Sequence, residues 1–147
     1  MDGPDAALAL TLASFLGEWS LARTIRHRSG QEARLDGRAT FGREGEALLY
    51  REAGTLTLPG GQALHAERRY VWRPAPGGAM VHFEDGRPFH RVDLGSPRPE
   101  ATHLCAPDVY EVAYDLTAFP DWTCAWRVHG PRKDYRIVSR YARAPRA

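Results

Sequence analysis

The chain has 147 residues and a mass of 16.4 kDa, which fits one domain spanning 1–147 and excludes two ordinary ones. A hydrophobic share of 43% beside 26% charged residues excludes wholesale disorder. The 20 basic residues are offset by 18 acidic ones, and a net charge of +2 argues against a nucleic-acid partner.

At the N-terminus, Asp5 is placed to cap a short helix in which Leu8, Leu12 and Phe15 or Leu16 recur at helical spacing. Gly17 stops it, and a helix this short must lean on something larger. Its apolar stretch is too short to span a bilayer, and Asp2 and Asp5 stand where a signal peptide carries Lys or Arg. A soluble cytoplasmic protein is expected, with no membrane span.

After Gly17 the chain reads as strand and turn. Turn signals fall at Ser29-Gly30, Asp36-Gly37, Glu44-Gly45, Gly54, Pro59-Gly60-Gly61, Gly77-Gly78, Asp85-Gly86, Gly95 to Pro99, Pro107-Asp108, Pro120-Asp121 and Gly130-Pro131. Between them apolar residues alternate. Trp19, Leu21 and Ile25 share a parity, as do Leu35, Ala39 and Phe41, and then Leu64, Ala66, Tyr70 and Trp72. Val81 and Phe83 form a short set. Tyr110, Val112, Tyr114 and Leu116 follow, then Trp122, Cys124, Trp126 and Val128, then Tyr135, Ile137 and Tyr141. Consecutive short hairpins leave exposed edges unless they close. The expected fold is all-β: a closed antiparallel up-and-down barrel of about 8–10 strands with a short N-terminal helix.

Gly17-Glu18-Trp19 opens the first strand after that helix, and Arg143 ends the last strand. This resembles the calycin superfamily of lipocalin-like and fatty-acid-binding-protein-like barrels. The resemblance covers essentially the whole chain and implies structural closure by Trp19 and Arg143, with the guanidinium packed on the indole. Such a contact is worth about 0.5–2 kcal/mol. Gly130-Pro131-Arg132, Lys133-Asp134-Tyr135, His103-x-Cys105-x-x-Asp108-x-Tyr110 and Trp122-x-x-x-Trp126 are similar to motifs of a small family of uncharacterised bacterial and fungal barrel domains. That likeness implies no activity.

The aromatic lining of the last strands is the main functional signal. Tyr110, Tyr114, Trp126 and Tyr135 are expected to face a central ligand cavity, because a simple core favours aliphatic residues over phenols that need hydrogen-bond partners. A two-residue turn at Asp85-Gly86 pairs Phe83 with Pro88 and turns His90 inward beside Val81 and Phe83. Met80, His82, Glu84, Phe89 and Arg91 then lie outside, and a one-residue slip exchanges His82 for His90. Phe89, Arg91 and the outward arginines are the candidate face of a homodimer.

His103 and Cys105 share a strand face, without the further ligands that zinc requires. Cys105 and Cys124 are candidates to lie near each other on neighbouring strands, with no disulfide expected. Lys133, the only lysine, is a candidate anion contact at the barrel mouth or one member of a salt-bridged turn with Arg132 and Asp134. One of Arg68 and Arg69 points inward, where it needs an anionic ligand or an acid such as Glu111 or Glu52.

These features favour a small-molecule binding protein that holds a small hydrophobic ligand, aromatic or acid-headed, inside the barrel. The ligand-binding candidates are His90, His103, Tyr110, Tyr114, Trp126, Tyr135 and Lys133. Such a reading needs a void above about 100 Å³. A barrel enzyme of cyclase or isomerase type, using Tyr and His hydrogen-bond donors, is the alternative. A haem held by one inward His, and a structural barrel with a filled core, are further readings. No metal site is expected, and no phosphate-cradling or hydrolase motif occurs.

Overall fold

A computed structural model describes residues 9–144. The expected cap at Asp5 and the start of its helix lie outside the described residues; within them the segment forms one 3-10 turn, Leu12–Phe15. Ten strands follow: β1 (Gly17–His27), β2 (Glu32–Glu44), β3 (Ala47–Thr57), β4 (Ala63–Ala75), β5 (Gly78–Phe83), β6 (Pro88–Asp93), β7 (Glu100–Cys105), β8 (Asp108–Asp115), β9 (Trp122–His129) and β10 (Asp134–Arg143). They form one antiparallel sheet in the order β6-β5-β4-β3-β2-β1-β10-β9-β8-β7. The order is the chain order closed through β1 and β10, as in an up-and-down barrel. The barrel is nearly closed, with β6 and β7 as the two edge strands of the sheet.

The alternation read from sequence sets the facing. On β1, β8, β9 and β10 the inward residues stack in cross-strand rows. Leu21 pairs with Tyr141, which pairs with Trp122. Arg23, Ser139, Cys124 and Tyr114 form the next row, then Ile25, Ile137, Trp126 and Val112. Tyr135, Val128, Tyr110 and His103 make the last row, at the opposite rim from Trp19.

Two expected turns are absent. Gly37 lies within β2 and Gly54 within β3, and they are cross-strand partners. A Cβ at residue 37 would collide with the Ala53 carbonyl oxygen, and one at residue 54 would collide with the Asp36 carbonyl oxygen. Here glycine permits two coiled strands to approach closely, which a sequence reading confuses with a turn.

At the end where β1 begins, Phe15 is driven into the barrel by the 3-10 turn. Its ring centroid lies 5.4 Å from Trp72, 5.3 Å from Phe119 and 5.3 Å from Trp122. Trp19 is fully buried beside them and donates its Nε1–H to the Phe15 carbonyl at 2.9 Å. The Arg143 guanidinium lies 3.8 Å from the Trp19 ring centroid and donates to the carbonyls of Leu16 and Ser14. Trp19 and Arg143 are also cross-strand partners, so this contact ties the first strand to the last.

Candidate functional site

The opposite end of the barrel is open. Phe83, Phe89, His103, Tyr110, Trp126 and Tyr135 line a cup of about 280 Å³ there, with Arg68, Tyr70 and Ile137 at its floor. Below the floor an inner chamber adds only about 30 Å³. Room for a ligand was expected at the barrel centre and is found instead at the mouth. The centre is filled by Tyr50, Tyr70, Tyr114, Trp122 and Tyr141, whose rings leave space for little more than a water-sized group.

His90 is 5% exposed and faces the inner chamber, as the hairpin parity implied. Its Nε2 lies 2.8 Å from the Tyr114 hydroxyl, and its Nδ1 is buried without a hydrogen-bond partner. Burial, reinforced by the nearby His103 charge, lowers its pKa to about 3, so the imidazole is neutral at ordinary pH. Trp122 Nε1 is a second buried and unpartnered polar atom on the same chamber wall. An unmatched buried group costs on the order of 1–3 kcal/mol, a penalty that a complementary ligand atom removes.

The expected pairing near Asp85-Gly86 needs correction. Val81 pairs with His90 as expected, but the Phe83 N–H bonds to the Arg87 carbonyl and His82 pairs with Pro88. The one-residue discrepancy is absorbed by a bulge that leaves Phe89 unopposed. Phe89 is therefore buried inside the barrel, stacked on Phe83 at 4.6 Å, and contributes nothing to an outer dimer face. His82 does face away, with Nδ1 against the Met80 carbonyl.

His103 and Tyr110 are cross-strand partners on the cup wall, and the His103 ring lies 5.1 Å from Phe89. Tyr114 sits deeper, and burial raises its pKa well above the ordinary phenol value. Trp126 lines both chambers, between Tyr70 at 6.5 Å and Phe89 at 5.2 Å. Lys133 is not brought into the cup. Its Nζ pairs with Asp108 Oδ2 at 3.0 Å on the rim, and that hydrogen bond raises its pKa. The Asp108 Oδ1 occupies the position a Cβ at residue 130 would need, so the Gly130 and Asp108 motifs meet in space.

Cys105 is exposed on β7 and Cys124 buried on β9, with β8 between them, so they are not on neighbouring strands. Burial pushes the Cys124 thiol up to about 12. Among the described residues no group of three or more His, Cys, Asp or Glu is placed to hold a metal ion.

A deep polar network was not read from the sequence. Arg23 on β1 grips Glu52 on β3 through Nη1 at 2.5 Å and Nη2 at 2.8 Å, and donates Nε–H to Ser139 Oγ at 2.7 Å. Tyr50 donates to Glu52 Oε1 at 2.5 Å and lies 2.8 Å from the Tyr141 hydroxyl. Since the single Tyr50 proton is committed to Glu52, Tyr141 is the donor of the second bond. Burial opposes the Glu52 charge, yet hydrogen bonding and attraction from Arg23 hold its pKa below the usual value. The signal for this network is parity: Arg23 shares a face with Trp19, Leu21 and Ile25, and only its charge argues for the outside. Of the Arg68-Arg69 doublet, Arg68 lines the chambers and Arg69 is exposed. Glu52 meets an inward arginine as foreseen, but the arginine is Arg23; Glu111 instead lies outside near His129.

No helix among the described residues is long and apolar enough to cross a membrane. An S-type phycobiliprotein lyase from Guillardia theta has a similar structure, with a TM-score of 0.70 over 100% of both chains at 8% sequence identity. A designed fluorescence-activating β-barrel gives a TM-score of 0.43 over 90% of this chain and 96% of its own, at 16% identity. No curated protein matches the sequence significantly. Residues 15–143 match the model of a family described as a family of unknown function, DUF6314. With most of its length matched, from the Phe15 plug to the Arg143 strap, this chain belongs to the DUF6314 family.

Proposed function

We propose that this barrel binds a small, mostly apolar molecule, aromatic or acid-headed, through its open end. The carrying observation is the aromatic cup of about 280 Å³ above an inner chamber whose wall holds unpartnered polar atoms. Apolar walls with a few placed polar groups are what small-molecule sites use, and a folding core has no need of rings held apart around solvent. The cup walls would supply affinity through buried apolar area, while His90 and Tyr114 in the inner chamber below would orient a polar group that reaches it. The inner space of about 30 Å³ around His90 favours a compact ligand over a macrocycle.

The Trp19–Arg143 contact and the meander order support a place among calycin-like barrels. Free thiols at Cys105 and Cys124 fit a reducing cytoplasm.

Native mass spectrometry of freshly purified protein tests the proposal. A discrete added mass that disappears in Trp126→Ala is the expected result. Bare protein mass, with no change in tryptophan fluorescence on titration with aromatic and fatty acids, overturns it.

The His90–Tyr114 pair favours a second reading, a cyclase or isomerase that polarises a substrate carbonyl. There, His90→Ala abolishes turnover and leaves substrate binding within a few-fold of the parent.

A further inference from the structure

We infer that the ligand of the cup is a compact aromatic monocarboxylate whose acid group is held by Arg68; this rests on the small-molecule reading above. Charge inside the barrel does not balance. Histidines aside, the ionised side chains lining the cup and inner chamber are Arg23, Glu52 and Arg68. Two guanidiniums face one carboxylate, which leaves the enclosed site one positive charge in excess. The histidines add no negative charge, and burial keeps Tyr114, Tyr141 and Cys124 protonated.

The excess resides on Arg68. Glu52 is its cross-strand neighbour, and the two attract. Yet the Glu52 oxygens turn across the barrel to Arg23 Nη1 and Nη2 and to the Tyr50 hydroxyl. Arg23 is likewise engaged, its charge matched by Glu52 through both Nη groups and its Nε–H donated to Ser139. Among the described residues Arg68 makes no ion pair within 4.0 Å, and unlike the unpaired arginines on the outer face, such as Arg69, it is half-buried against the enclosed site. Its guanidinium lies 5.4 Å from the Trp126 ring centroid, at the neck where cup and inner chamber join.

A half-buried guanidinium without a matched anion is costly, and its planar fork fits a carboxylate in two parallel hydrogen bonds. The aromatic walls suit a ring system attached to that acid. The cup volume of about 280 Å³ lies at the lower edge of the roughly 300–1,000 Å³ usual for small-molecule sites, which selects one or two rings over a long chain.

Isothermal titration of 1-naphthoate and of its neutral amide, 1-naphthamide, at neutral pH decides the matter. The wild type is expected to bind the acid at least about tenfold more tightly than the amide. Arg68→Gln abolishes that preference, Arg68→Lys keeps part of it, and Arg69→Gln, on the outer face, keeps all of it. A wild type that binds the amide as tightly as the acid overturns the inference, as does a folded Arg68→Gln variant that retains the preference. Should Arg68→Gln fail to fold, the acid–amide ratios of the wild type and of Arg68→Lys still separate the two outcomes. Amide binding without acid preference leaves the small-molecule reading standing. Failure of both probes to bind wild type at millimolar concentration removes that reading, and this inference with it.

Discussion

At the closed end of the barrel, Phe15, Trp19, Phe119 and Trp122 meet edge to face at centroid distances of 5.3 to 5.7 Å, with Phe15 and Trp19 fully buried. At the open end, Phe83, Phe89, His103, Tyr110 and Trp126 stand at comparable pairwise distances, yet they surround a cup of about 280 Å³. The residue types are alike, so composition is not the difference. What differs is a lid: the 3-10 turn inserts Phe15 at one end, and Arg143 straps it down through the Ser14 and Leu16 carbonyls. No segment among the described residues fills the other end in the same way. Aromatic rows at a barrel end become a core when something caps them and a pocket when nothing does.

The largest expected effect falls at the closed end. Trp19→Ala should cost about 3–5 kcal/mol in urea unfolding, as for other fully buried aromatics, whereas half-buried Trp126→Ala should cost clearly less and act mainly on binding. Equal losses at the two ends would erase the distinction between plug and cup.

Between the ends, Glu52→Gln strands the Arg23 charge and should cost about 3–5 kcal/mol in the same assay. Sign and pH follow from the lowered Glu52 pKa: the stabilisation is present above the unfolded carboxylate pKa and is lost as pH falls through the lower folded value. Replacing Arg23 and Glu52 together by apolar residues of similar size should cost far less than either single change.

His90 gives the next effect. Its folded pKa is about 3 against an ordinary 6.5, so between those values the unfolded chain binds the extra proton. Its contribution to stability is therefore complete above about pH 6.5 and declines on acidification towards pH 3, with a slope of at most about 1.4 kcal/mol per pH unit. Urea midpoints from pH 4 to 7 should show a shallower slope in His90→Phe; an unchanged slope would mean that the histidine titrates normally in the folded barrel. The smallest effect belongs to the strap. Arg143→Ala removes an exposed cation–π contact worth about 0.5–1 kcal/mol, together with two hydrogen bonds at its rim. A loss as large as that of Trp19→Ala would show that the strap, and not the Phe15 plug, holds this end shut.

Much of the fold was legible because strand alternation has a period of two and the turns are short. The inward row of Tyr110, Val112 and Tyr114 needed little else, whereas the pairing of Trp19 with Arg143 rested on the resemblance to calycin barrels. Gly37 and Gly54 misled because a turn and a close strand crossing use the same residue for different reasons. Phe89 misled because a bulge changes facing by one residue, and its location depends on how the two strands of the hairpin pack. The facing of His90, Tyr114 and Trp126 was legible by parity, which for Arg68-Arg69 said only that one of the two points inward. Lys133 was placed near the mouth, but only the fold shows Asp108 claiming it.

By itself, then, the order of residues determined the meander, the facing of most side chains and the aromatic character of both barrel ends, because these depend on local alternation and turn chemistry. Tertiary structure alone decided that Arg23 and not Arg68 takes Glu52, that Phe15 closes one mouth, and that the free space lies at the rim and not at the centre. Each of those outcomes is a competition among side chains far apart in the chain for one partner or one volume, and such competition is settled by distances across the barrel that no local pattern encodes.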